Sequence, residues 1–390
     1  MMDFTPEIAA LSDELVALRR DFHRHPELGF QEFRTSKIVE DYLTELGLEV
    51  RRCAGTGVIG VLRGAKPGKT LLLRCDIDAL PMNEESGVDF PSENPGLFHG
   101  CGHDGHTAVQ LVTAKIMAQH RDKLHGTAVF LFQPNEEDAG AEIMIQDGAM
   151  DDKPDAVCGF HLWSPIPTGK IGLAPGPLEA SSWYFKLTIH GKGGHGGAPH
   201  NAINPIDAAA HVLEAIKTFH TLEQDSTKPT VITVCMVHSG EKEIIVADDC
   251  EMQGSVRCLH NGDEAVRARF KQLCEDVCRA YRCTCDLEFK CGNSMLENDA
   301  ELTNMAMGVA NEVVGKENIL SRGIQIMGGD DFAEFSRRVP GVYYYVGTGS
   351  EEAGSIHEHH SPFFRIDEKS LPIAVAMEAG VIARYLGIDE

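Results

Sequence analysis

At 390 residues the chain is longer than a single hydrophobic core usually grows, so two domains are the natural expectation. Its formal net charge of −24 argues against nucleic-acid phosphates or an anionic membrane as partner, and an anionic substrate would need local arginines to overcome that field. Hydrophobic residues at 43% and charged residues at 24% describe a globular chain rather than a disordered one, and no apolar run is long enough to span a bilayer.

The first twenty residues, MMDFTPEIAALSDELVALRR, form an acidic amphipathic segment without the apolar core of a signal peptide. The twelve cysteines are scattered, unlike those of a small secreted disulfide scaffold, and a reduced cytoplasmic enzyme is expected. TSKIVEDYLTELG has helical spacing, and GVIGVLRG and KTLLLRCDI are short apolar runs of strand type. Beyond HGCGHDGHTA, residues 99–108, come a helix (TAVQLVTAKIMAQH), a buried strand (GTAVFLFQP), a helix (AEIMIQDGA) and a strand (DAVCGFHL). This alternation predicts an α/β domain with a mostly parallel sheet.

From about residue 180 the texture changes. SWYFKLTIHG alternates with period two, and two long helical patterns, NPIDAAAHVLEAIKTFH and DEAVRARFKQLCEDVCRAY, separate further strands at PTVITVCMVHSG, CEMQGSVRCLH and CTCDLEFKC. This predicts a compact α+β module over residues 178–293, inserted into a discontinuous α/β domain of residues 1–177 and 294–390. The α/β texture returns in AELTNMAMGVANEVVG, GVYYYVG and PIAVAMEAGVIARYLG.

Three segments carry candidate metal ligands. Cys101 and His103 stand between a turn and a helix start, Glu136 and Glu137 follow a strand, and His161 is expected to end another strand in CGFHL. Ligands of open α/β sheets bind beyond the carboxyl ends of strands, so these segments converge on one rim. Each also has an ordinary reading, as a surface histidine, solvated glutamates or a buried thiol. SIHEHHSPFF offers His357, His359 and His360; Ser-Pro after His360 is expected to hold the chain extended and aim that residue, which makes it the best ligand of the three. GAKPGKT is one residue short of a phosphate loop and leads into a strand, and GKGGHG opens no helix, so neither is a nucleotide site. H-E-x-x-H and G-x-S-x-G are absent.

RCDIDALP, HGCGHDGHTA, FQPNEED, GFHL, GKGGHGGAPH, GGDDF and HSPFF, in this order, resemble the motifs of the dinuclear metallo-amidohydrolases that include aminoacylases, hippurate hydrolases and plant auxin-conjugate hydrolases. The branch is the one with Cys-Gly-His-Asp. The resemblance implies two divalent metal ions, manganese or zinc, bridged by Cys101, one completed by Glu137 and His360 and the other by His103 and His161. It implies Glu136 as general base, His195 as an oxyanion-stabilising residue acting across a dimer, and Arg257 as a grip on a substrate carboxylate. The inserted module would be the dimerisation domain, the protein a homodimer or higher homo-oligomer, and the substrate an N-acyl amino acid or related amide conjugate.

Two positions depart from the family pattern. Ungapped pairing to Arg257 puts Ile244 where the family usually has Asn, and GGDDF replaces Ser-Glu-Asp-Phe, leaving Asp330 one methylene shorter. A dipeptidase or carboxypeptidase on the same site is an alternative, as is a silent binding protein; the intact set of ligands and base argues against the last.

Overall fold

The computed structural model describes residues 3–389. They form two compact units: Met1–Gly176 with Glu297–Ile324 and Asp331–Glu390, and Pro177–Leu296 with Gln325–Asp330. Among the described residues no helix is long and apolar enough to cross a membrane.

The first unit is built on an eight-stranded mixed sheet. Its central strands, in spatial order His125–Gln133, Lys66–Asp76, Ala156–Pro167 and Gly341–Gly349, run parallel. Gly57–Arg63 and Glu49–Cys53 extend one side antiparallel, and two-residue strands close the other. Because both faces are covered, the central strands read as continuous apolar runs: VFLF of residues 129–132 is entirely buried, as are Tyr343, Tyr344 and Tyr345. Leu71, Leu73, Phe130, Phe132, Phe160 and Tyr344 share one core with helices His103–Gln119 and Leu371–Leu386. Helix His103–Gln119 is enclosed almost all round, and it buries polar side chains such as Asp104, His106 and Gln110 along with its apolar ones.

The second unit is a four-stranded antiparallel sheet, ordered Thr230–Ser239, Asp249–Cys258, Ser181–His190, Thr284–Cys291. The period-two pattern of SWYFKLTIH turns Phe185, Leu187 and Ile189 to the core. Against them pack helix Pro205–Thr218, whose start is capped by the Asn204 side chain accepting from Ile206 N–H, and helix Asp263–Ala280. The latter buries Val266, Phe270, Cys274 and Cys278, a stripe at four-residue spacing.

The module boundaries expected at 178 and 293 fall at 177 and 296. Gln325–Asp330, expected in the first domain, belongs to the second unit: Ile326 N–H donates to the Leu178 carbonyl (3.0 Å) and Ala180 N–H to that of Gly328 (2.9 Å). Backbone pairing between such distant segments leaves no local pattern to read.

Helix Leu371–Leu386 carries one carboxyl into the core. Burial pushes Glu378 up to about 8, a rise that Thr113 offsets only in part. The unfolded carboxyl ionises above its ordinary 4.5 while the folded one keeps its proton to about 8, so folding is penalised increasingly across that window. Glu378→Gln should therefore gain stability over the parent as pH rises from 5 to 8 and hold a constant advantage above it. Thermal midpoints of both proteins over this range check it; a difference independent of pH refutes it.

Candidate metal centre

The site starts from the carboxyl ends of the central strands. Lys66–Asp76 leads directly to Asp78, and His125–Gln133 to the turn Glu136–Asp138, entered through Asn135 at φ 56°. His161 does not end its strand, which continues to Pro167; it stands just past Gly159, the last residue paired with Lys66–Asp76, and so at the rim on that side. Cys101 lies on the turn before helix His103–Gln119, after which His103 is the first helical residue, and Gly102 at φ 92° makes the sharp entry.

These segments converge. Ligand atoms of Cys101, His103 and His161 lie within 4.8 Å of one another, and so do those of Cys101, Glu137 and His360 and those of His103, Glu136 and Glu137. Cys101 belongs to two triads, with Sγ 3.5 Å from His161 Nε2. His103 Nδ1–H donates to the Asp78 carbonyl (2.9 Å) and His161 Nδ1–H to that of Leu162 (2.9 Å), which leaves Nε2 of each ring as the lone-pair atom facing the cluster. His103 Nε2 is buried without a hydrogen-bond partner. His360 Nε2 is 3.2 Å from Glu137 Oε1.

His360 is not held extended by the Ser-Pro that follows. Its φ is 63°, in the left-handed region, and its N–H donates to the Gly100 carbonyl (2.9 Å), which ties it directly to the Cys101 turn. His359 consequently points elsewhere, with its ring stacked on Trp163 at 4.4 Å and Nδ1 3.8 Å from Cys101 Sγ. The Ser164 hydroxyl anchors the same segment by donating to the His357 carbonyl (2.9 Å).

The charge around the cluster is suited to a cation. Burial depresses His103, but Asp76, Asp78 and Glu137 outweigh it and lift the ring to about 10. Without a metal these carboxylates hold a proton on the ring; a divalent ion competes for the same place. Burial and the carboxylates of Glu137 and Glu136 push the Cys101 thiol far up, so its thiolate needs a cation beside it.

Two other members of the ten-residue cluster, His106 and Asp104, are held in hydrogen bonds and ion pairs of their own. His106 Nδ1–H donates to Asp76 (2.6 Å) while its Nε2 accepts from Leu162 N–H (2.9 Å), so both ring nitrogens are spent steadying the residue next to His161. Asp104 pairs with Arg19 (2.9 Å) and His23 (2.7 Å) of helix Ser12–Arg24. Beneath the rim, the fully buried Arg74 donates to Asp76 (2.9 Å), Asp331 (2.7 Å) and Gln133 (2.9 Å). Asp76, Asp78 and Arg74 lie in the RCDIDALP motif, yet nothing in the sequence assigns their individual parts.

The remaining predicted residues are in the second unit. His195 is exposed on a two-residue strand paired with Ile245–Val246; its Nδ1 accepts from Gly197 N–H (2.9 Å), leaving Nε2–H as an outward donor. The Ile244 carbonyl accepts from Gly196 N–H (2.8 Å), a support any residue supplies, while its side chain is 53% exposed. Arg257 donates through one Nη to the Met327 carbonyl (3.0 Å), and Asp330 is buried.

Residues 72–384 match the family described as peptidase family M20/M25/M40. The chain is 37% identical over 391 residues to thermostable carboxypeptidase 2 of Saccharolobus solfataricus, with 97% of each chain covered. It is 42% identical over 278 residues to an N-acyl-L-amino acid amidohydrolase of Geobacillus stearothermophilus, covering 70% of this chain and 74% of that one. A solved Bacillus subtilis structure, described as a dinuclear metal-binding peptidase of the M20 family, matches with a TM-score of 0.86 at 31% identity, covering 98% of this chain and 100% of the other.

The Glu136–Glu137 turn hangs on Glu32, which accepts from Asn135 N–H (3.0 Å) and from the Thr56 hydroxyl (2.6 Å) in a fully buried position. Glu32→Ala strands both donors and should cost about 1–3 kcal/mol of unfolding free energy, the range for a buried group left unsatisfied. Urea denaturation measures it, and a loss no larger than that of an exposed Glu→Ala control refutes the role.

Proposed function

We propose, starting from the fact that this chain belongs to peptidase family M20/M25/M40, that it is a metal-dependent amidohydrolase cleaving N-acyl amino acids or related amide conjugates to a carboxylic acid and a free amino acid. Amide or peptide hydrolysis follows from the family and from relatives named amidohydrolase and carboxypeptidase; the narrower substrate is our reading. The observation that carries it is the sharing of the Cys101 sulfur between two ligand triads. Cys101, His103 and His161 would hold one divalent ion, and Cys101, Glu137 and His360 the other. Zinc and manganese both suit this mix of thiolate, imidazole and carboxylate.

Held by these residues, two divalent ions would supply Lewis acidity to polarise the scissile carbonyl and to make a water nucleophilic near neutral pH. The side chains do the rest. Glu136 Oε2 lies 4.0 Å from His103 Nε2, bordering the space the ligand atoms face. From there it accepts the proton of the attacking water and returns it to the leaving nitrogen. Glu137, its neighbour, is turned toward His360 and serves as ligand instead. In a homodimer, the outward Nε2–H of His195 would stabilise the oxyanion in the partner subunit's site, and Arg257 would grip the substrate carboxylate. Free cysteines throughout suit a reduced, cytoplasmic setting.

The 37% identity to a carboxypeptidase favours peptide hydrolysis as the second reading. One experiment addresses both: exhaustive chelation should abolish hydrolysis and manganese or zinc restore it, across N-acetyl, N-benzoyl and dipeptide substrates. Faster turnover of N-acyl substrates supports the first reading and of dipeptides the second. Full activity in a preparation shown metal-free by elemental analysis overturns both.

Substitutions separate the roles. Glu136→Gln should keep its metals and lose turnover on the order of a hundredfold, the usual worth of a general base, whereas Glu137→Gln should lose metal as well. Full occupancy in both variants refutes the division. Glu136→Gln and His195→Ala protomers, inactive separately, should recover roughly a quarter of wild-type activity after subunit exchange, since about half the dimers are mixed and each has one working site. No recovery after demonstrated exchange rules out action across the dimer.

A further inference from the structure

His359 is placed by neither ligand triad, yet its ring is more closely constrained than that of His360. It lies flat on Trp163, at 4.4 Å and 20° between planes, and meets Phe364 at 4.6 Å and the edge of His161 at 4.9 Å. Ser164 N–H donates to His359 Nε2 (3.3 Å), so that nitrogen carries a lone pair and no proton. A neutral imidazole has one N–H, which must then be on Nδ1, and Nδ1 is 3.8 Å from Cys101 Sγ. The strand that supplies Ser164 thereby dictates the tautomer and turns the Nδ1 proton toward Cys101, where it meets the sulfur and the backbone carbonyl of the same residue.

We propose that His359 is a positioning residue that donates an N–H···S hydrogen bond from Nδ1 to the Cys101 thiolate, steadying the sulfur shared by the two ligand triads; this rests on the metal-centre reading given above. A sulfur between two cations has more than one orientation open to it, and a donor clamped at a fixed point selects one. The bond also draws electron density from the thiolate and so tunes its donation to metal. With Nδ1 protonated, His359 is a poor ligand itself, which accounts for the division of labour between adjacent histidines: His360 toward Glu137, His359 toward sulfur.

The test uses the full-length protein loaded with cobalt(II), in which a cysteine thiolate gives a charge-transfer absorption in the near ultraviolet. His359→Leu removes the donor, and His359→Gln keeps a polar group at the Ser164 end while lacking the Nδ1 donor. His359→Asn retains an N–H at the Nδ1 position. In the Leu and Gln variants the band should move to longer wavelength and cobalt affinity fall by roughly 10- to 100-fold, the usual effect of losing a partner of a metal ligand. The Asn variant should keep the band and most of the affinity.

An unshifted band in both Leu and Gln variants at full cobalt occupancy overturns the proposal. So does loss of one cobalt equivalent in all three variants, which would make His359 a ligand. Absence of any thiolate band in cobalt-loaded wild type would instead overturn the metal-centre reading itself. If the Leu variant does not fold, the Gln and Asn comparison decides alone.

Discussion

A guanidinium buried without access to water has to be matched by fixed charge, and Arg74 sets that requirement at the centre of the first unit. It reaches Asp76 on its own strand, Gln133 at the end of the next strand, and Asp331 from a distant segment. Gln133 completes the ring by donating to Asp331 (2.8 Å), and Asp331 in turn receives Ala141 N–H (2.8 Å). Four pieces of chain are thus held at one height beneath the rim. Removing one of its charged members, Arg74, Asp76 or Asp331, leaves an unbalanced charge inside the protein, which costs more than the ion pairs contribute on balance.

Above that layer the charge balance reverses. Asp76 is stabilised as a carboxylate: burial opposes it, but His103, His106 and Arg74 together hold its pKa well below the ordinary range. Asp78 and Glu137 add to it around His103. The rings of His103, His161 and His359 are each fixed in tautomer by a backbone carbonyl or amide, an arrangement suited to cations. Such fixing lowers the entropic cost of assembling ligands and explains why so many polar atoms gather in a protein interior.

Backbone geometry finishes what charge begins. Asn135 and His360 both take left-handed conformations uncommon for residues other than glycine. Each is held by a specific bond, Asn135 by the Glu32 carboxylate and His360 by the Gly100 carbonyl. The strain is local and the restraint comes from elsewhere in the chain, the arrangement expected where a site must present side chains in directions a relaxed turn would not give.

Much was legible before any coordinates. Periodicity alone separates the parallel α/β unit from the antiparallel α+β unit, because burial on two faces gives continuous apolar runs and burial on one gives alternation. The candidate ligands were legible too, since Cys, His and Glu gathered near the carboxyl ends of strands point to a metal. The tertiary structure alone decided the rest: that His161 stands inside a long strand, that Gln325–Asp330 returns to the second unit, and that His359 and His360 diverge. Those outcomes depend on backbone hydrogen bonds to partners far away in the chain, such as Gly100 for His360 and Leu178 for Ile326. A side chain's chemistry is a property of its own residue, but its direction, tautomer and charge are set by neighbours that only folding brings near.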